Sequence, residues 1–117
     1  MKDPIQLAAH YIECSNAGVL ETIWNCFEPD AAYQSSQLGT FEGLYEIRSM
    51  MQDFYAKYQN PHWEVEHYRL VDDDTVEFPF QMSAIDSEGN TVARQGVERL
   101  QFNRSTGKIS AVHVSVS

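Results

Sequence analysis

The hydrophobic period of the sequence changes near residue 60, and this change constrains the fold more than any other feature. Before it, apolar residues recur every three or four positions, which is the spacing of amphipathic helices. After it, apolar and polar residues alternate, as they do in strands that bury one face. Helices followed by strands predict an α+β fold in which the helices cover one side of a curved antiparallel sheet.

Helix signals divide the first half of the chain. Pro4 can occupy a first helical position after Asp3 as the cap, and Asn16-Ala17-Gly18 supplies a break. Asn60-Pro61 must end the last helix, because the residue before a proline avoids the helical conformation. The predicted elements are helices over residues 4–15, 19–27 and 43–58 and a short strand over residues 31–35.

Turn signals divide the second half into four strands. Acidic, Gly and Asn residues cluster at residues 72–74, 86–90 and 104–107, as is typical of turns. The strands are predicted over residues 62–71, 75–85, 91–103 and 108–116, forming a meander of long hairpins.

Glu98 is the main anomaly of this pattern. Alternation places it on the same strand face as Leu100 and Phe102, and that face should meet the helices. An isolated charge in an apolar interior is costly, so a carboxyl group in this place indicates a site or a buried hydrogen bond.

Composition limits the partners of the chain. Its 117 residues are 43% hydrophobic, which suits one domain over residues 1–117. The net charge of -9 would repel nucleic acid and anionic membranes. No stretch approaches the roughly 20 apolar residues of a membrane span, and an acid and a proline stand where a secretory signal would be apolar. We expect a soluble, cytoplasmic protein.

Three local patterns, in order, carry a family resemblance. Residues 11–18 end in Asn16-Ala17-Gly18, residues 27–31 match Phe-x-x-Asp-Ala, and residues 43–48 match Gly-x-x-x-Ile-Arg. With the order of elements, these patterns resemble the nuclear transport factor 2-like superfamily and its SnoaL-like and ketosteroid isomerase-like branches. The resemblance covers nearly the whole chain. It implies a cone-shaped, cystatin-like α+β domain that encloses a pocket.

The ketosteroid isomerases suggest roles for individual residues. Their first helix carries a tyrosine that donates a hydrogen bond to the substrate oxygen, and Tyr11 occupies that position. Residues 97–103 match the strand that carries a protonated acid, with Glu98 in its place. Ser35, preceded by Gln34, stands where the carboxylate base should be. A serine hydroxyl without a partner cannot shuttle a carbon-bound proton, which argues against isomerisation by the family mechanism.

Two functions remain open. In the first, Tyr11, Glu98 and Ser35 form a catalytic site for an isomerase, lyase or cyclase acting on a small apolar carbonyl compound, with Glu98 as a proton donor or as the general base. In the second, Tyr11 and Glu98 are a structural pair in a non-catalytic dimeric domain that binds a ligand or a protein. The candidate ligand contacts, which could equally be core, are Trp24, Tyr33, Phe54, Phe80, Met82, Leu100 and Val112.

We expect no metal and no cofactor. Cys14 and Cys26 lack metal-type spacing and are predicted on helices as two small buried hydrophobic residues. His62, Glu64 and Glu66 share one strand face, which is better interpreted as a solvated surface. The expected partners are a small apolar molecule and a second copy of the chain, meeting through a polar outer sheet face with Glu77, Gln81, Arg99, Gln101 and His113.

Overall fold

Helices pack on one side of a curved, mixed sheet in this computed structural model, which describes residues 2–117. The helices are α1 (Pro4–Ala17), α2 (Leu20–Trp24) and α3 (Leu44–Lys57). The strands are β1 (Phe27–Ser35), β2 (Gly39–Glu42), β3 (Gln59–Glu64), β4 (Arg69–Asp72), β5 (Thr75–Ile85), β6 (Thr91–Phe102) and β7 (Ile109–Val116). The predicted α+β class is confirmed.

The sheet runs in the order β2-β1-β7-β6-β5-β3, and β4 also pairs with β5. The predicted meander is correct for β5, β6 and β7, which pair antiparallel. The sheet is not wholly antiparallel, however, because β1 runs parallel to β7. Hydrophobic period identifies strands but contains no information on the direction of a distant partner, so this pairing could not be predicted.

The first helix follows its sequence signals. The Asp3 side chain accepts a hydrogen bond from the Ile5 N–H, and Gly18 ends the helix with φ of 74°, a left-handed conformation that glycine adopts without strain. The second helix is shorter than predicted, since β1 already begins at Phe27. Main-chain pairing with β7 explains the difference, because Ile109 N–H donates to the Cys26 carbonyl.

Two strand predictions need correction. The predicted strand over residues 62–71 is two strands, because β3 and β4 pair with separate parts of β5. Pro79 lies between those parts and has no N–H to donate to a neighbour. The predicted loop after Ser35 contains β2, which forms a hairpin with β1 from Ser35 and Gly39 outward.

The core lies between the helices and the inner face of the sheet. The predicted alternation is confirmed on β5, β6 and β7, whose inner residues are buried. The largest fully buried side chains are Phe27, Phe78, Ile23, Ile47, Leu100, Ile109 and Val76. Within residues 2–117, no helix combines the length and apolar character needed to cross a membrane.

Gly96 is required by a close approach between strands. A Cβ atom at this position would collide with the Ser115 carbonyl oxygen of β7 and would lie 3.1 Å from a ring carbon of Phe80. A glycine inside a strand often marks such an approach. Gly96 lies two residues before Glu98 on the same inner face, next to the site described below.

Candidate functional site

A cavity of about 330 Å³ lies between α1, α3 and the inner face of the sheet. This volume falls at the lower end of the range of about 300–1,000 Å³ that small-molecule sites occupy. Most of the wall is apolar or aromatic, with contributions from Met50, Met51, Phe54, Trp63, Phe80 and Met82.

Glu98 is the buried acid of this cavity. It lies on β6, its cross-strand neighbours are Phe78 and Val114, and its residue is only 5% exposed. Among residues 2–117 its carboxyl group has no hydrogen-bond partner, and it lines the cavity. Burial alone raises the pKa of Glu98 from 4.5 to about 8. The side chain is therefore mainly protonated at neutral pH.

Tyr11 lines the same cavity from the middle of α1. Its ring meets the Phe27 ring edge to face, with centroids 5.6 Å apart. Burial is the largest cause of a pKa well above 10, and the charges of Tyr33 and Glu98 add to it. Tyr11 is therefore a neutral hydrogen-bond donor. Within the described part of the chain, no hydrogen bond joins Tyr11 to Glu98, although one was considered as a structural alternative.

Further tyrosines surround Glu98. A negative charge on Glu98 would raise the pKa of Tyr33 and Tyr55, although burial is the larger cause for both. Tyr55 donates a hydrogen bond of 2.8 Å to the Ser15 carbonyl and lines the cavity. Tyr55 was not among the predicted site residues, although its spacing of four from Met51 on α3 places it on the same helix face.

Ser35 lines the cavity but serves the turn after β1. Its Oγ atom accepts hydrogen bonds from the N–H groups of Gln37, at 3.2 Å, and Leu38, at 3.1 Å. Ser35 and Glu98 both pair with Val114, so β7 separates them by two strand spacings, roughly 10 Å. Gln34, which precedes it, alternates to the other face and is exposed.

The candidate ligand contacts divide into two groups. Trp24, Leu100 and Val112 lie outside the cavity lining. Leu100 and Val112 are cross-strand partners, and both are buried in the core. Trp24 packs beneath the Arg48 guanidinium, 4.5 Å from the ring centroid. The structure places the others in the lining: Tyr33, Phe54, Phe80 and Met82.

A positively charged side chain, that of Arg94, borders the cavity on the same strand as Glu98. Arg94 is half-buried, lines the cavity and lies four residues from Glu98, roughly 13 Å along an extended strand. In the described chain its guanidinium bonds only the adjacent Ala93 carbonyl, at 2.9 Å. Asp53 and Lys57 of α3 also line the cavity. Every other arginine has a carboxylate or an aromatic partner, namely Arg48, Arg69, Arg99 and Arg104.

The acidic strand face near residue 62 lies apart from the cavity lining. His62 Nε2 is 3.9 Å from Glu64 Oε1, both side chains are largely exposed, and Glu66 lies beyond the end of β3. His113 points to the exposed face, as alternation predicted.

Solved structures of low identity share this fold. The chain is similar to a candidate SnoaL-like polyketide cyclase from Shewanella denitrificans OS-217, at 15% identity over 100% of this chain and 92% of that one, with a TM-score of 0.84. It is similar to a nuclear transport factor 2-like protein of unknown function from Exiguobacterium sp. 255-15, at 12% identity over 95% and 98%, with a TM-score of 0.84. It is also similar to TerC, co-crystallised with polyporic acid, at 14% identity over 97% and 90%, with a TM-score of 0.81.

The fold is thus that of the nuclear transport factor 2-like superfamily, as the sequence patterns predicted. Residues 8–112 match the SnoaL-like domain, and the chain belongs to this family. No curated protein matches the chain.

Proposed function

We propose that this protein binds a compact apolar compound and holds one carbonyl or phenolic oxygen of it with Tyr11 and Glu98. The observation that carries the proposal is the Glu98 carboxyl group, which is buried beside an apolar cavity without a hydrogen-bond partner in residues 2–117. Buried polar groups rarely remain unpaired, and a ligand oxygen in the cavity would supply the partner.

The two side chains suit an oxygen that gains negative charge. Protonated Glu98 and neutral Tyr11 are both donors, and preorganised donors in a dry site stabilise a developing enolate. A carboxyl group with a pKa of about 8 can also exchange its proton near neutral pH. Isomerase, lyase or cyclase chemistry on a carbonyl compound would use this exchange, whereas Ser35 is engaged in a turn.

The edge of the cavity suggests how the ligand is oriented. Arg94 has no carboxylate partner in the described chain, and it lines the cavity at a distance from Glu98. An acidic or strongly polar group at the outer end of the ligand would pair with it. Two proteins of the same fold support an oxygen-bearing organic ligand, since one is a candidate polyketide cyclase and TerC was co-crystallised with polyporic acid.

Titration with phenols of graded acidity tests this proposal. Phenols imitate an enolate oxygen, and Trp63 lines the cavity and can report binding by its fluorescence. We expect saturable binding that strengthens with phenol acidity and weakens in Tyr11→Phe and Glu98→Gln. The matched controls are Tyr45→Phe, where the tyrosine is 87% exposed, and Glu88→Gln in an exposed turn. Affinity that is equal in all four variants would contradict the proposal.

A further inference from the structure

Three side chains with nitrogen or sulfur ligand atoms converge outside the lining of the cavity. His10 and Cys14 lie one turn apart on α1, and Cys26 lies between α2 and β1. Their ligand atoms all lie within 4.8 Å of one another. Cys26 was predicted on a helix, and no metal site was predicted, because residues from two separate elements form this group only after folding.

The distance between His10 and Cys14 matches that between neighbouring ligands of a tetrahedral zinc site. Zinc bonds of about 2.3 Å to sulfur and about 2.0–2.1 Å to nitrogen set neighbouring sulfur and nitrogen ligands roughly 3.5 Å apart. His10 Nε2 and Cys14 Sγ are 3.5 Å apart. Two sulfur ligands of the same ion lie roughly 3.8 Å apart, which falls inside the 4.8 Å limit of the group.

The two thiols make only weak hydrogen bonds within the protein, because sulfur is a weak donor and acceptor. Cys26 Sγ donates a contact of 3.5 Å to the Thr22 carbonyl, and Cys14 Sγ has the His10 ring at the same distance. A bound cation would displace the thiol proton, because a coordinating thiol is deprotonated.

The position of the group gives an ion a structural role. His10 precedes Tyr11 on α1, and Cys26 precedes Phe27 at the start of β1. The rings of Tyr11 and Phe27 are the pair that meet edge to face. We propose that His10, Cys14 and Cys26 bind one zinc ion, with water in the fourth position, and that this ion ties α1 to β1 behind the Tyr11–Phe27 ring pair.

Cobalt substitution tests the proposal without any activity assay. The full chain is reduced, stripped of metal with a chelator and titrated with Co²⁺ without oxygen. We expect thiolate-to-cobalt charge-transfer bands, tetrahedral visible bands and an end point at one equivalent. Zn²⁺ should abolish these bands by competition. Zn²⁺ should also raise the melting temperature, because it binds the folded state preferentially.

Single variants assign the ligands. Cys26→Ser and His10→Gln should weaken zinc binding more than about tenfold, since even the loss of an outer-shell partner costs about that much. His10 is exposed, so His10→Gln keeps the test valid if a cysteine variant folds poorly. The exposed His67→Gln is the matched control and should bind zinc like the natural protein. Absence of the charge-transfer bands, or zinc affinity unchanged in His10→Gln and Cys26→Ser, would overturn the proposal.

Discussion

The side-chain amide of Asn16 pairs with the main chain of Trp63 through two hydrogen bonds. Asn16 Nδ2 donates to the Trp63 carbonyl at 2.9 Å, and the Trp63 N–H donates to Asn16 Oδ1 at 2.7 Å. The amide therefore acts like a short strand and fixes the end of α1 to β3. It also gives the Asn of the Asn-Ala-Gly pattern a physical reason, because a side-chain amide carries a donor and an acceptor side by side, as a peptide unit does.

Asn16→Ala should lower the free energy of unfolding by about 1–3 kcal/mol, because both main-chain groups of Trp63 would lose their partner. Asn16→Asp should also destabilise the protein, since a carboxylate can accept from the N–H but cannot donate to the carbonyl. Urea denaturation measures both changes. The control is Asn25→Ala, at an exposed position. Equal midpoints for Asn16→Ala and Asn25→Ala would show that the pair contributes little.

Glu98 should make stability depend on pH. Its pKa is about 8 in the folded state against 4.5 for an ordinary glutamate, so between these values only the folded state holds the proton. Stability from this group is therefore complete below pH 4.5 and is lost as pH rises to about 8, by about 1.4 kcal/mol per pH unit. Glu98→Gln should lack this slope, whereas Glu88→Gln should follow the natural protein. Denaturation curves across the window give the comparison, and parallel curves for Glu98→Gln and the natural protein would refute it.

Arg94→Gln should discriminate between ligands. Binding of a phenol that carries a carboxylate should fall about tenfold, because a charged hydrogen bond contributes about 1.5–3 kcal/mol. Binding of the neutral parent phenol should change little. The control is Arg104→Gln, at an exposed position near Asp73. An equal loss of affinity for both phenols in Arg94→Gln would mean that Arg94 shapes the cavity and does not recognise the carboxylate.

Gly96→Ala should destabilise the protein by about 1–3 kcal/mol, because the new methyl group would force β6 away from Ser115. The exposed neighbour Gln95→Ala should be close to neutral. Thermal melting of the two variants measures the difference. If Gly96→Ala and the natural protein have the same melting temperature, the two strands can move apart at this position at little cost in free energy.

Hydrophobic period predicted which face of each strand is buried, but it could not predict which buried side chains line the cavity. It placed Glu98 correctly among the buried residues of β6. It could not separate Phe80, which lines the cavity, from Leu100, which fills the core, because both occupy inward positions and differ only in what the helices leave uncovered. Contacts between distant segments, such as Asn16 with Trp63 or Cys26 with His10, have no periodic signal at all. The expected homodimer stays a prediction.

The parallel pairing of β1 with β7 has a consequence for the order of folding. Among the described residues, β1 is the first strand along the chain and its neighbour β7 is the last. Such distant pairing costs loop entropy before it yields contacts, which slows folding. The edge of β1 that faces β7 must therefore wait for that distant strand, whereas its other edge can already pair with the nearby β2.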